Sequence, residues 1–121
     1  MAKNRILVVE DERDIAESVG LNLYLSGYNY LIIDNGLTAV EQLKKDHSFD
    51  LALLDIMLPG MDGFALMEHL QRYNIPVIYL TAKADVPSRI KGLKIGAEDY
   101  IVKPFSVLEL LVRIEKVLDR A

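Results

Sequence analysis

Apolar residues along this chain fall into short runs separated by longer stretches in which they recur every three or four positions. The short runs are residues 6–9, 28–33, 51–54, 76–80 and 100–102. Each is bounded by turn-forming or charged residues and is too short for a helix, which predicts strands, those at 6–9 and 51–54 buried. The stretches between them carry helical stripes. Ile15, Val19 and Leu23 share one face before Gly27, and Leu37, Val40 and Leu43 share one face of a helix over 37–45. Phe64, Met67 and Leu70 line a helix over 64–72, and Pro87 opens one that stops at Gly96. The last helix, 107–119, buries Val107, Leu110, Ile114 and Val117. Asp34, Asn35 and Gly36 form a turn.

Strand and helix thus alternate five times. That order predicts parallel strands joined by right-handed crossovers, with helices on both faces of the sheet. The expected fold class is α/β: a flavodoxin-like, doubly wound five-stranded parallel sheet of order 2-1-3-4-5 with five helices in three α/β/α layers. Its ligand crevice lies at the switch point between strands one and three. With 121 residues, the expectation is a single domain over 1–121.

Composition narrows the chemistry. The chain is 51% hydrophobic, enough for one full core, and has no cysteine, which excludes disulfides and thiolate metal sites. No signal-peptide pattern opens it and no apolar run could span a bilayer, so no membrane association and a cytoplasmic location are expected. A net charge of -4 without a basic block argues against direct nucleic-acid binding. There is no G-x-x-x-x-G-K-[ST] phosphate loop. His47 and His69 have no partner at metal-ligand spacing.

Each strand of such a sheet delivers its carboxyl end to one rim. Strand one brings Glu10 and Asp11, strand three Asp55, strand four Thr81 and strand five Lys103. Two like charges ~5 Å apart at an effective dielectric of about 20 repel by roughly 3 kcal/mol, so acids gathered there call for a cation among them. The bland alternative for Glu10, Asp11 and Glu12 is a solvated acidic first turn. Oxygen ligands of this kind suit Mg²⁺, which keeps waters and shares its ligands with phosphate.

With these residues in place, the chain resembles the receiver domain of a two-component response regulator, of the winged-helix DNA-binding transcriptional subfamily. The resemblance rests on Val8-Val9-Glu10-Asp11-Glu12, Asp55-Ile56-Met57-Leu58-Pro59-Gly60-Met61-Asp62-Gly63, Leu80-Thr81-Ala82-Lys83, Gly96-Ala97-Glu98-Asp99-Tyr100 and Lys103-Pro104-Phe105, in the family's order from end to end. It implies that Asp55 accepts a phosphoryl group from a phosphohistidine on a sensor histidine kinase. It implies Mg²⁺, with Mn²⁺ able to substitute, bound by Asp11, Asp55 and the backbone carbonyl of Met57, and by Glu10 through water. Much of the family has Asp where Glu10 stands. Lys103, whose peptide bond to Pro104 is expected to be cis, pairs with Asp55 and then with the phosphoryl oxygens, and Thr81 hydrogen-bonds the phosphoryl group. Met57 and Lys83 stand where the family tunes the lifetime of the aspartyl phosphate. Thr81 and Tyr100 form the switch, against the simpler view of Tyr100 as a packed strand tyrosine. The domain would be no enzyme beyond catalysing its own phosphorylation and dephosphorylation.

The implied output is phosphorylation-promoted homodimerisation through the fourth helix, fifth strand and fifth helix. That face would comprise Ile90, Leu93 and Leu111, with Leu108 and Val112 beside them, ringed by Arg89, Lys94, Asp99, Glu109, Arg113 and Glu115. DNA would be reached through an effector domain absent from this sequence; the alternative is a stand-alone receiver acting by protein–protein interaction. A haloacid-dehalogenase phosphatase would want a second Asp where Met57 stands. A flavodoxin-like electron carrier would want a phosphate-binding loop in place of the acids after strand one. A pseudo-receiver would lack part of the acidic site or Lys103.

Overall fold

The structure is a computed structural model and describes residues 4–82 and 86–119. Five strands alternate with five helices: β1 (Arg5–Val9), α1 (Arg13–Leu25), β2 (Asn29–Ile33), α2 (Gly36–Lys45), β3 (Leu51–Leu54), α3 (Gly63–Arg72), β4 (Val77–Thr81), α4 (Val86–Lys94), β5 (Asp99–Val102) and α5 (Val107–Asp119). All strand pairs are parallel and the order is β2-β1-β3-β4-β5, the doubly wound arrangement that the alternation predicts. Side chains of a parallel strand alternate between two covered faces, and the core accordingly has two halves. Leu7, Val9, Ala52, Leu54, Val77 and Tyr79 face one cluster with α2 and α3. Ile6, Val8, Leu51, Leu53, Ile78 and Leu80 face the other with α1 and α5.

Local chemistry sets the element ends. Gly27 and Gly96 follow α1 and α4 at φ +89° and +109°, a left-handed conformation that costs glycine little. The Asp62 side chain caps α3 by accepting from the Ala65 N–H at 2.8 Å.

Several sequence expectations are corrected. The Asn35 side chain caps α2, accepting from Leu37 and Thr38 N–H groups at 2.8 and 3.2 Å, so the helix begins at Gly36 and the expected turn is a cap. Leu37 therefore lies in the first turn and is 53% exposed; Ala39, Val40 and Leu43 face the core. On α3, Phe64 is half-buried and Leu66 joins Met67 and Leu70 inside. Val107 is half-buried at the start of α5, while Leu110, Ile114 and Val117 are buried as expected. Leu111 belongs partly to the core, packing against the α1–α5 cluster.

Candidate functional site at the carboxyl edge of the sheet

The ends of β1, β3 and β5 meet at one point. Backbone ladder bonds fix them: the Asp55 N–H donates to Val9 O at 3.1 Å, the Glu10 N–H to Ile33 O at 3.0 Å and the Lys103 N–H to Thr81 O at 2.9 Å. Glu10 and Asp55 are 2% and 4% exposed, and Thr81 is fully buried. Asp11 is exposed at the mouth. One carboxylate oxygen from each of Glu10, Asp11 and Asp55 can be chosen so that all lie within 4.8 Å of one another.

Lys103, joined to Pro104 by a cis peptide bond, enters this group. Its Nζ donates to Asp55 Oδ2 at 2.8 Å and to Glu12 Oε1 at 3.0 Å. It also lies 2.6 Å from Glu10 Oε1 as an ion pair. Burial works against charge on Lys103, but the bonds to Asp55, Glu10 and Glu12 outweigh it and hold the ammonium above the usual lysine range. Glu10 is pushed toward its neutral form: burial raises its pKa, and Lys103 and the Glu12 N–H only partly oppose the rise. The other oxygens are also placed. Asp55 Oδ1 accepts from the Met57 N–H at 3.0 Å, and Glu10 Oε2 from the Glu12 N–H at 3.1 Å.

This donor set suits a small hard cation. It is all oxygen, it pairs buried carboxylates with an exposed one, and it carries more negative charge than one ammonium balances. Asp55 could act as a nucleophile, with Lys103 beside it to neutralise charge developing on a transferred group.

The residues expected at the rim, Glu10, Asp11, Asp55, Thr81 and Lys103, are thus brought together, with Thr81 in register with Val102 next to Lys103. Met57 stands beside them and is 63% exposed. Lys83 lies outside the described residues. Glu12 is a third partner of Lys103 that sequence reasoning left without a role, although it stands in the acidic run. Tyr100 is 6% exposed and packed inward against Tyr79, with ring centroids 5.9 Å apart.

The α4–β5–α5 face is separate. Ile90, Leu93, Leu108 and Val112 are exposed there. Arg113 holds Asp99 at 2.6 Å and Glu109 at 2.8 Å, both within the chain. Arg89, Lys94 and Glu115 are exposed and form no ion pair with another described residue.

A doubly wound α/β domain with an acidic pocket closed by one lysine is the class that this geometry defines. Residues 6–115 match the response regulator receiver domain, and the chain belongs to that family. It is 42% identical over 117 residues to the transcriptional activator protein IrlR of Burkholderia pseudomallei, covering 96% of this chain and 51% of that protein. It thus spans about half the length of the curated relatives it matches. Among solved structures, a CheY-like response regulator receiver domain protein from Methanospirillum hungatei superposes with a TM-score of 0.91 at 31% identity, over 98% of this chain and 96% of that one. The BeF3-activated N-terminal receiver domain of Klebsiella pneumoniae RstA superposes with a TM-score of 0.87 at 33% identity, over 95% and 98%. No helix among the described residues is long and apolar enough to cross a membrane.

Proposed function

We propose that this receiver domain accepts a phosphoryl group on Asp55 from the phosphohistidine of a sensor histidine kinase and passes the signal to a transcriptional output. The single observation that carries the reading is the placement of Lys103 Nζ 2.8 Å from Asp55 Oδ2 inside an acidic pocket. In the transfer, the bond from phosphorus to the histidine nitrogen breaks and a bond from phosphorus to an Asp55 carboxylate oxygen forms. Asp55 is held for this by the Met57 N–H and by Lys103, whose ammonium would exchange its bond to Asp55 for one to a phosphoryl oxygen. Thr81 supplies a hydroxyl at the same rim. Phosphoryl transfer is mostly positioning and charge neutralisation, which these residues are arranged to give.

Asp11, Asp55 and the Met57 carbonyl would hold Mg²⁺, or Mn²⁺ in its place, with Glu10 acting through water. The cation would supply Lewis-acid neutralisation of the phosphoryl oxygens. The domain then turns over only its own aspartyl phosphate and is no enzyme in the wider sense. The Klebsiella relative is described as BeF3-activated; trifluoroberyllate has the shape and charge of a phosphoryl group, which supports the same chemistry on Asp55.

The switch would run through Thr81 and Tyr100. A phosphoryl group adds about -1.5 to -2 charges, enough to draw the Thr81 hydroxyl toward it. Dimerisation through α4, β5 and α5, and DNA contact through an effector domain, complete the reading; the relative's name as a transcriptional activator supports that output. The test is incubation with acetyl phosphate and Mg²⁺ followed by intact mass. A gain of one phosphoryl mass, lost in Asp55→Asn and without metal, is expected. No gain on folded protein that binds Mg²⁺ would reduce the domain to an interaction module.

A further inference from the structure

Tyr79 stands in the middle of β4, a strand that is otherwise aliphatic up to Thr81, and its ring is fully buried. Its hydroxyl donates to the Gly63 carbonyl at 3.2 Å. A phenylalanine would fill this space without a polar atom to satisfy, so the hydroxyl is a specific link and not a packing requirement. Gly63 is the residue at which the loop leaving Asp55 closes. Its N–H donates to Ile56 O at 2.8 Å, and a Cβ there would collide with the Asp55 carbonyl oxygen and come within 2.7 Å of Ile56 Cα. Tyr79 is therefore bonded to the backbone that pins the end of β3.

The ring of Tyr79 reaches the other way. It meets Phe64 edge-on at 5.6 Å between centroids and Tyr100 at 5.9 Å. Helix α4 rests on the same rings: a Cβ on Gly92 would stand 3.0 Å from the Tyr100 ring and 3.2 Å from that of Tyr79. A second contact to α4 runs through Phe64, whose ring carries Lys91 Nζ 4.5 Å from its centroid. Rings packed this closely move together or not at all, because the interior has no slack to absorb a shift.

We propose that Tyr79 is a positioning residue that ties the backbone of the 55–63 loop to Tyr100 and α4. The proposal rests on the phosphoryl-acceptor reading. A displacement of Gly63 when Asp55 is modified pulls on the Tyr79 hydroxyl, and the ring carries the change to Tyr100 and to the Gly92 surface. Thr81 then has a neighbour two residues earlier on the same strand that reports on the loop instead of on the phosphoryl group.

The experiment is amide NMR of this chain titrated with BeF3⁻ and Mg²⁺, in wild type, Tyr79→Phe and Phe64→Leu. In wild type, shifts are expected at Met57 in the loop and at Gly92, Leu93 and Tyr100. In Tyr79→Phe, which keeps the ring, the Met57 shift is expected to persist while those at Gly92, Leu93 and Tyr100 fall at least twofold. A residue with only a structural role would lower the melting temperature and leave the shift pattern intact. Phe64→Leu keeps the hydroxyl bond and is expected to reduce the Gly92 response alone, which separates the Phe64 contact from the hydroxyl link. If Tyr79→Phe does not fold, the labelled ring of Tyr79 in wild type stands in; it is expected to shift on BeF3⁻ addition, and an unmoved ring would overturn the inference. Undiminished α4 and Tyr100 shifts in folded Tyr79→Phe would overturn this inference alone. Absence of any response at Met57 in wild type would remove the phosphoryl-acceptor reading, and this inference with it.

Discussion

The Lys103 ammonium lies 2.8 Å from Asp55 Oδ2, with both side chains under a tenth exposed. The same ammonium serves Glu10 at 2.6 Å and Glu12 at 3.0 Å. One cation thus balances three carboxylates, and the directions of the proton affinities agree with that count. Lys103 is held protonated, whereas buried Glu10 is drawn toward its neutral form. The pocket has room in its charge balance for a second cation, which is the condition a receiver site needs.

Lys103→Met should remove that single compensation. Breaking a buried ion pair from one side costs about 3 kcal/mol or more, so the variant is expected to melt at clearly lower urea at pH 7. The pH dependence has a definite sign. Glu10 has a folded pKa raised above 4.5, so its ionisation opposes folding as pH climbs from that value to the folded one. Without Lys103 the rise is larger, and the variant should regain stability between pH 7 and 5 more than wild type does. Mg²⁺ should bind the variant more tightly, since its competitor is gone, while phosphorylation by acetyl phosphate collapses. Equal pH profiles for the two proteins would contradict the account.

Much of this site was legible before the structure, because parallel strands deliver their carboxyl ends to one rim whatever the loops do. Asp55, Glu10 and Lys103 could be placed together from strand order alone. What escaped the sequence depended on contacts across elements. Leu37 matched the helical stripe but lies in the first turn, where Asn35 caps the helix and turns it outward. Leu111 extends the apolar residues of α5 past one core stripe, yet it also packs against the core beside α1. The Tyr79–Gly63 bond joins residues 16 apart and has no periodicity to announce it; its one trace was a tyrosine in a strand of aliphatic residues.

Gly63→Ala should be damaging even though the position opens a helix, where alanine is ordinarily favoured. The new methyl would meet the Asp55 carbonyl oxygen and Ile56 Cα, backbone atoms that cannot swing aside. Overpacking of this kind costs about 1–3 kcal/mol. Because the displaced atoms belong to the Asp55 loop, Mg²⁺ affinity should fall along with stability. A denaturant melt and a metal titration check both, and an unchanged affinity would separate the loop from the helix start.

Asp46→Asn should flatten the acid limb of stability. Asp46 accepts from the Ser48 hydroxyl and N–H and pairs with Arg5 at 2.6 Å, and these hold its pKa well below the usual carboxylate range. A depressed folded pKa contributes stability above the unfolded value of 3.8, and the contribution is lost as pH falls through and below it. Wild type should therefore lose stability below about pH 4 more steeply than the variant, which has already lost the contribution at pH 7. Urea melts from neutral to strongly acidic pH compare the slopes, and parallel limbs would show that the Arg5–Asp46 clasp contributes nothing.

Arg113→Ala offers a test of the proposed output face that stability alone cannot give. Its bonds to Asp99 and Glu109 lie within the chain and are partly exposed, so their loss should change folding by only ~0–1 kcal/mol. At a dimer interface the same guanidinium would be desolvated beside Ile90, Leu93 and Val112, where removing one partner of a hydrogen-bonded charge pair costs about 2 kcal/mol or more. The BeF3⁻-loaded variant is therefore expected to dimerise roughly 30-fold more weakly than loaded wild type while melting almost alike. Sedimentation at several concentrations and at low and high salt reads this directly, since screening should weaken the wild-type dimer toward the variant. A loaded wild type that stays monomeric at every concentration would remove this face as a self-association surface and leave Arg113 as a clamp between β5 and α5.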